Sequence, residues 1–229
     1  LTWGLYGTRT SMLLGVISAP LIGLLGGLIG LAAGYAGGRV DNFLMRIGDI
    51  FQSFPAIMLY ILIVMALRGT PVGAWLDGLF VLFLAFLSVG WVAIARLIRA
   101  AVMQAREMEY IEAARCIGAG RLRIIFRHIL PNVFAPALVW FTYAVPQLIL
   151  VEAILGYLGV GLGRSPDKGA LLDVSWGGMF LMGRHTIYIQ PMMIIIPAVG
   201  VGLVSLAFTL LGDALRDALD PRSSRVSAD

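Results

Sequence analysis

Few side chains in this 229-residue sequence are of the types that carry out acid–base, nucleophilic or metal chemistry. The two histidines, His128 and His185, are isolated from each other and from other metal-ligating residues. Cys116 is the only cysteine, so it can form no internal disulfide and no metal-binding spacing. We therefore expect no catalytic residue and no metal site, and a helix-packing role for each histidine.

The motifs of two enzyme classes do not occur in the sequence. There is no phosphate loop of the form G-x4-G-K-[ST], and the only lysine, Lys168, stands in a connection that we predict to face outward. There is no G-x-S-x-G, and neither histidine lies deep in a predicted span, which argues against an intramembrane serine protease. We predict a non-catalytic chain that binds no cofactor of its own.

Glu152 is a carboxylic acid inside a long apolar stretch. A carboxylate in lipid is costly and normally faces protein or water. Two interpretations follow. Glu152 could line a transport pathway and attract an amine or a cation, or it could make a structural hydrogen bond near the outer end of its helix.

The segment of about residues 100–131 is polar enough to leave the membrane, and its pattern predicts two short helices joined by a turn. The first helix has an apolar face at positions i, i+3, i+4 and i+7, formed by Tyr110, Ala113, Ala114 and Ile117. Acidic residues come early in this helix and Arg115 comes late, as the helix dipole favours. Gly118 then offers a helix stop with positive φ.

A second apolar stripe follows the glycine turn and is formed by Leu122, Ile125, Phe126 and Ile129, before Pro131 interrupts it. A short rigid helix with small alanines can be held in a groove of another protein and transmit its displacement. It can equally lie on lipid headgroups as an amphipathic helix. The pattern alone leaves both interpretations open.

The rest of the chain must hold these residues in lipid. Hydrophobic residues make up 59% of the sequence and charged residues 13%, with a mean hydropathy of +0.91, whereas soluble domains carry about 25% charged residues. Five stretches approach the roughly 20 apolar residues that a spanning helix needs, at 11–34, 54–67, 79–98, 133–158 and 192–211. The second is short and is expected to begin a turn earlier. We predict an all-α polytopic membrane helix bundle, one domain over residues 1–229.

The first span carries glycines four residues apart. The pairs Gly23/Gly27, Gly26/Gly30 and Gly30/Gly34 are of the small-xxx-small type that lets helix backbones approach closely in a bilayer. We therefore expect this span to pack against another helix and not only against lipid.

Arginine placement predicts the orientation of the spans. The segment after the third span and the C-terminal tail, about residues 213–229, should both be cytoplasmic because both are arginine-rich, with Arg96, Arg99, Arg106, Arg115, Arg121, Arg123 and Arg127 in the first and Arg216, Arg222 and Arg225 in the second. The loop 35–50 is then cytoplasmic, and the connections 68–78 and 159–191 face outward. Because the basic residues lie between apolar spans, they argue against nucleic-acid binding.

Six residues of the middle segment match the EAA motif of ABC importer permeases, EAA-x3-G-x9-I-x-LP: Glu112, Ala113, Ala114, Gly118, Leu130 and Pro131. The one departure is His128, where the motif usually has isoleucine. The form RHILPN at 127–132 resembles the dipeptide, oligopeptide and nickel permease subfamily, so the departure narrows the resemblance.

The resemblance extends over nearly the whole chain. It includes LYGTRTSMLLG at 5–15, AGYAGGRVDNFLMRIGDIFQSFP at 33–55, LGYLGVGLG at 155–163, SWGGM at 175–179 and LLGDALRDALDPR at 210–222. The chain is most similar to the C-type subunit of the paired permeases. Such subunits usually have six helices, so we expect that the first of them is missing from this sequence.

The resemblance implies an ABC type I importer permease fold in a bacterial or archaeal cytoplasmic membrane. It implies a heterodimer with a second permease, which together enclose the pathway for peptides, nickel or another small solute. Two ATP-binding subunits would hold ATP and Mg²⁺, and an extracytoplasmic substrate-binding protein would deliver the cargo. Membrane lipid surrounds such a complex.

The resemblance also implies roles for particular residues. The ATPase-coupling element would be formed by Glu112, Ala113, Ala114 and Gly118, with Leu130 and Pro131 fixing the return into the fourth span. Tyr110 and Ile117 join the coupling element from the apolar face of the first helix. A permease of another ABC importer class, such as for amino acids or phosphate, is the nearest alternative, and RHILPN and DALRDALDPR argue against it. A channel or membrane scaffold fits the composition but would need no EAA segment.

Overall fold

The computed structural model of the protein describes residues 2–73, 78–162 and 174–219. Within these ranges the chain is helical and contains no strand. The α-helices are α1 (Thr2–Ala36), α2 (Gly38–Gln52), α3 (Ala56–Arg68), α4 (Leu79–Arg106), α5 (Glu109–Cys116), α6 (Arg121–Ile124), α7 (Leu130–Tyr157), α8 (Trp176–Thr186) and α9 (Met192–Leu219), with a π-helical turn at Ile125–Ile129.

Four helical segments among the described residues are long and apolar enough to cross a membrane. They are α1, α4, the continuous segment Arg121–Tyr157, and α9. A fifth span results if α2 and α3 are counted together. The prediction of an all-α polytopic membrane protein is confirmed, and the predicted number of spans matches the upper count.

Two predictions around the second span are wrong. The helix does not begin a turn before Phe54, because Pro55 has an extended backbone, with φ −58° and ψ 125°, and α3 starts only at Ala56. A residue that precedes proline is disfavoured in the α conformation, which explains the break. The stretch 35–50 is not a loop either, since most of it forms α2.

The other spans extend beyond their predicted ends. The helix α4 continues past residue 98 to Arg106, and α9 continues past residue 211 to Leu219. Arginine and aspartate are compatible with a helix, so the hydropathy boundary does not end the helix. The predicted segment 100–131 therefore begins inside α4 and the tail begins inside α9. Residues 220–229 of the tail lie outside the described residues.

The chain divides into two compact units. One contains the described residues of Ile22–Ser53, Gly90–Thr142 and Leu210–Asp229. Its core includes Trp91, Val92 and Ala95 of α4, against which Ile29, Met45, Ile47 and Phe51 pack. A Cβ on Gly26, Gly30 or Gly34 would collide with the α4 backbone at Trp91, Ala95 and Arg99. The predicted close helix packing is thus confirmed for these three glycines.

The other unit contains the described residues of Leu1–Leu21, Phe54–Val89 and Tyr143–Thr209. Leu14, Phe86 and Ile149 are fully buried in it. The rings of Tyr60 and Phe86 meet edge to face at 5.4 Å between centroids, within the range that aromatic pairs favour. The single-domain description of residues 1–229 stays a prediction.

Candidate functional site

The helix α5 is a short element of eight residues in the middle of the chain. It starts after Met108, whose backbone is extended, and carries Glu109 and Glu112 in its first turn and Arg115 in its last. Acidic residues at the N-terminus and a basic residue at the C-terminus both stabilise a helix through its dipole. The structure therefore contains the first short helix that the sequence predicts in this segment.

A glycine turn ends α5. The N–H of Gly118 donates to the carbonyl of Arg115 at 3.0 Å, and the N–H of Ala119 donates to the carbonyl of Ala114 at 3.0 Å. These are the two hydrogen bonds of a Schellman motif, which needs a left-handed residue between helix and exit. Gly118 has that conformation, with φ +82°. The predicted glycine stop is confirmed.

The face of α5 that packs on its own chain shares only Ala114 with the predicted apolar face. Ile111 is fully buried and Ala114 is 7% exposed. Tyr110 and Ile117, by contrast, are 44% and 86% exposed. Ile111 was missed because it lies one position beside the i, i+3, i+4, i+7 stripe. The helix is therefore anchored by one edge and presents the rest of its surface outward.

Most of the predicted site residues lie on this outward surface. Glu112 and Ala113 are exposed beside Tyr110 and Ile117, and Gly118 follows them. An apolar patch with an adjacent carboxylate on a short rigid helix is a surface that another protein can hold. Among the described residues no group of three His, Cys, Asp or Glu side chains could hold a metal.

The second half of the segment does not form a separate helix ended by Pro131. The structure continues from α6 through the π-helical turn into α7. The N–H of Leu130 donates to the carbonyl of Ile125, five residues earlier. A π turn accommodates Pro131, which lacks an N–H and would clash with the carbonyl four residues before it in a regular helix. Leu130 and Pro131 are exposed residues of the first turn of α7.

Asn132 connects α5 to α7 and was not predicted as a site residue. Its Nδ2 donates to Tyr110 Oη at 2.9 Å and to the carbonyl of His128 at 2.6 Å. The ring of His128 lies 6.2 Å from the ring of Tyr110, between centroids, and is tilted by 44°. The RHILPN stretch thus contains two residues that contact Tyr110.

Arginines of α4, predicted only as markers of orientation, form specific contacts. Arg99 makes a bidentate pair with Asp41, with 2.6 Å between Nη2 and Oδ2, and Asp41 is 5% exposed. Arg96 pairs with Asp49 at 2.6 Å in a solvent-exposed position. Arg106 donates to the carbonyls of Gly34 and Tyr35. These contacts tie α4 to α2 and to the end of α1.

Glu152 is fully buried in the other unit. Its Oε2 accepts a hydrogen bond from Ser11 Oγ at 2.9 Å, and Ser11 Oγ accepts one from the N–H of Trp176 at 3.1 Å. Glu152 Oε1 has no hydrogen-bond partner among the described residues. This enclosure favours the structural interpretation of Glu152 over the pathway interpretation.

Comparison with known proteins places the chain among transport proteins. The family model described as "Binding-protein-dependent transport system inner membrane component" matches residues 26–225. The oligopeptide transport system permease protein OppC of Bacillus subtilis (strain 168) is 37% identical over 221 residues, which are 96% of this chain and 67% of that protein. The dipeptide transport system permease protein DppC of the same organism is 37% identical over 225 residues, 98% of this chain and 65% of that protein.

The glutathione transport system permease protein GsiD of Pectobacterium atrosepticum is 38% identical over 218 residues, 95% of this chain and 67% of that protein. The chain spans about two thirds of the length of these three relatives.

Solved structures show the same fold. A crystal structure of an amino acid ABC transporter with histidines has a TM-score of 0.69 at 18% identity, over 95% of this chain and 94% of that chain. An inward-facing structure of the MetNI methionine ABC transporter has a TM-score of 0.60 at 22% identity, over 94% and 97% of the two chains. At these identities the likeness establishes the fold and not the substrate.

Proposed function

Because the chain belongs to the family of binding-protein-dependent transport system inner membrane components and is a membrane permease subunit of an ABC importer, we propose that it carries peptides and is driven through α5. The outward surface of α5 would be held by a separate ATPase. In this proposal the coupling element comprises Glu112, Ala113, Ala114 and Gly118 with Tyr110 and Ile117, and Leu130 and Pro131 join it to α7.

The observation that supports coupling through α5 is its combination of exposure and anchorage. The helix presents Tyr110 and Ile117, which are 44% and 86% exposed, while Ile111 is fully buried. The Schellman motif at Gly118 fixes its far end. A helix that merely lay on lipid would need no such fixed end, whereas a helix that is pushed by a partner must resist rotation and bending.

The remaining parts of the transporter would belong to other chains. We propose a second permease that completes the pathway as a heterodimer, two ATP-binding subunits that hold ATP and Mg²⁺, and an extracytoplasmic substrate-binding protein. This chain would not hydrolyse ATP itself, since its sequence contains no phosphate loop. Its α5 and the C-terminal end of α9 would face the cytoplasm, in line with the arginines around them.

Peptides are the substrate class that the names of the relatives indicate. Three relatives with 37–38% identity are described as oligopeptide, dipeptide and glutathione permeases, and glutathione is itself a tripeptide derivative. The chain would therefore move short peptides across the cytoplasmic membrane, with the substrate-binding protein selecting among them.

The native Cys116 gives a direct test of coupling through α5. It is the only cysteine of the chain and is exposed at the C-terminal end of α5. Membrane vesicles with and without the ATP-binding subunits are treated with a membrane-impermeant maleimide, after replacing the cysteines of the partner subunits. We expect Cys116 to react in inside-out vesicles and to be protected, by at least about tenfold in rate, when the ATP-binding subunits are present.

A matched control places the thiol on the opposite side of the membrane. Tyr188 is 99% exposed in the connection between α8 and α9, so Tyr188→Cys in a Cys116→Ala background should react only in right-side-out vesicles, with or without the ATP-binding subunits. Equal reaction of Cys116 in the presence and absence of these subunits would refute coupling through α5. Reaction of Cys116 from outside would refute the proposed orientation.

A further inference from the structure

We infer that Tyr110 and Asn132 form a strut that fixes the coupling helix to the first turn of α7, so that a displacement of α5 moves the transmembrane helix. This inference rests on the proposed role of α5. It adds a positioning residue, Asn132, that is outside the EAA motif, and it gives Tyr110 a defined partner.

The hydrogen bonds of the Asn132 amide determine its orientation. A backbone carbonyl can only accept, so the Nδ2 side of the amide must face the carbonyl of His128, which lies 2.6 Å away. The same Nδ2 then donates its second hydrogen to Tyr110 Oη at 2.9 Å. One amide group thereby joins two points of the chain that are 22 residues apart in sequence.

The ring of His128 also supports the strut. It lies 6.2 Å from the Tyr110 ring, between centroids, within the 4.5–7 Å range of favourable ring contacts. The position where the EAA motif usually has isoleucine is therefore occupied by a ring that faces the tyrosine of α5. His128 restricts the Tyr110 side chain to the position from which its hydroxyl meets Asn132.

A strut is needed because the connection between α5 and α6 contains a glycine beyond the Schellman motif. Gly120 follows the fixed end of α5, a Cβ on it would meet nothing within 4 Å, and glycine restricts the backbone less than any other residue. A push on α5 could therefore be absorbed by rotation at this turn. The Tyr110–Asn132 strut bypasses the turn and joins α5 to α7 two residues beyond its start at Leu130.

Two variants remove the strut at its opposite ends. Tyr110→Phe removes the acceptor oxygen and keeps the ring, and Asn132→Ala removes the donor. Tyr188→Phe is the matched control, since this phenol is 99% exposed. Hydrogen exchange of the α5 amides is measured in the assembled transporter. Loss of one hydrogen bond should accelerate exchange about two- to tenfold in both variants, and Tyr188→Phe should leave it unchanged.

A second measurement tests whether movement of α5 reaches α7, and not only whether α5 is locally ordered. A nitroxide is attached at Phe134→Cys, an exposed position of α7, in a Cys116→Ala background. Its electron paramagnetic resonance spectrum is recorded with and without a non-hydrolysable ATP analogue and Mg²⁺. We expect a nucleotide-dependent change with native Tyr110 and Asn132, and at least about a twofold smaller change in Tyr110→Phe and Asn132→Ala.

The double variant completes the test. Because both changes break the same hydrogen bond, Tyr110→Phe with Asn132→Ala should be no more affected than the more severe single variant. Full nucleotide response at residue 134 in both single variants, or no response with the strut intact, would overturn the inference. Protection of Cys116 by the ATP-binding subunits, measured in parallel, would be lost only if the proposed function itself were wrong.

Discussion

The hydroxyl of Ser11 in α1 donates a 2.9 Å hydrogen bond to Oε2 of Glu152 in α7, 141 residues later in the chain. Both side chains are fully buried. Because the N–H of Trp176 donates to the same hydroxyl oxygen, Ser11 joins the start of α8 to the carboxyl group. A single hydroxyl thus holds three helices of one unit together.

Ser11→Ala should destabilise the protein, and Ser18→Ala should not. Removing the Ser11 hydroxyl leaves Glu152 Oε2 and the Trp176 N–H without their partner, at a cost of about 1–3 kcal/mol. Ser18 is also buried in α1, but its Oγ has no hydrogen-bond partner among the described residues. Thermal unfolding of the purified protein in detergent measures both variants. Equal midpoints for the two variants would contradict the assigned role of Ser11.

Two ion pairs of α4 predict that an arginine-to-glutamine substitution lowers stability by unequal amounts at the two positions. Arg99→Gln leaves Asp41, which is 5% exposed, without its bidentate partner and should cost about 2–4 kcal/mol. Arg96→Gln breaks an exposed pair, with side-chain exposures of 45% and 51%, and should cost less than about 1 kcal/mol. Denaturant unfolding in detergent compares the two, and a larger loss for Arg96→Gln would contradict the assignment.

The sequence predicted the elements whose signals are local. Apolar length identified the spans, the i, i+3, i+4, i+7 pattern with the dipole charges identified α5, and Gly118 identified its end. The helix α2 was missed although its residues Phe43, Ile47 and Ile50 have helical spacing, because the stretch connects two predicted spans and was interpreted as the loop between them.

Contacts between distant segments could not be predicted from one sequence. Nothing local relates Asn132 to Tyr110 or Ser11 to Glu152, since these pairs arise only when separate helices pack. The continuity of α6 with α7 was also missed, because a proline normally ends a helix and the π-helical turn that accommodates Pro131 has no sequence signature.

The glycines of α1 predict that the same substitution affects stability very differently at neighbouring positions. A Cβ on Gly30 would collide with the carbonyl of Ala95, whereas a Cβ on Gly27 would meet nothing within 4 Å. Gly30→Val should therefore force α1 and α4 apart and cost about 1–3 kcal/mol or more, while Gly27→Val should be nearly neutral. The yield of folded protein and its thermal midpoint in detergent report both, and a neutral Gly30→Val would disprove the close approach.

The turn after α5 allows the stability cost of a left-handed backbone to be measured without side-chain clashes. Gly118 has φ +82° and open space where a methyl group would stand, so Gly118→Ala tests only the left-handed conformation and should cost about 1–2 kcal/mol. Gly120 has equally open space but φ −65°, which any residue adopts, so Gly120→Ala should change stability by less than about 0.5 kcal/mol.

Hydrogen exchange separates the two alanine variants. Opening of the Schellman motif should accelerate exchange of the Gly118-position and Ala119 amides in Gly118→Ala by about five- to thirtyfold, since these amides form its two hydrogen bonds. The same amides should keep their protection in Gly120→Ala. If α5 transmits force, ATP-dependent peptide uptake should fall in Gly118→Ala and persist in Gly120→Ala. Loss of uptake in Gly120→Ala alone would show that flexibility at residue 120, and not the fixed end of α5, is what coupling requires.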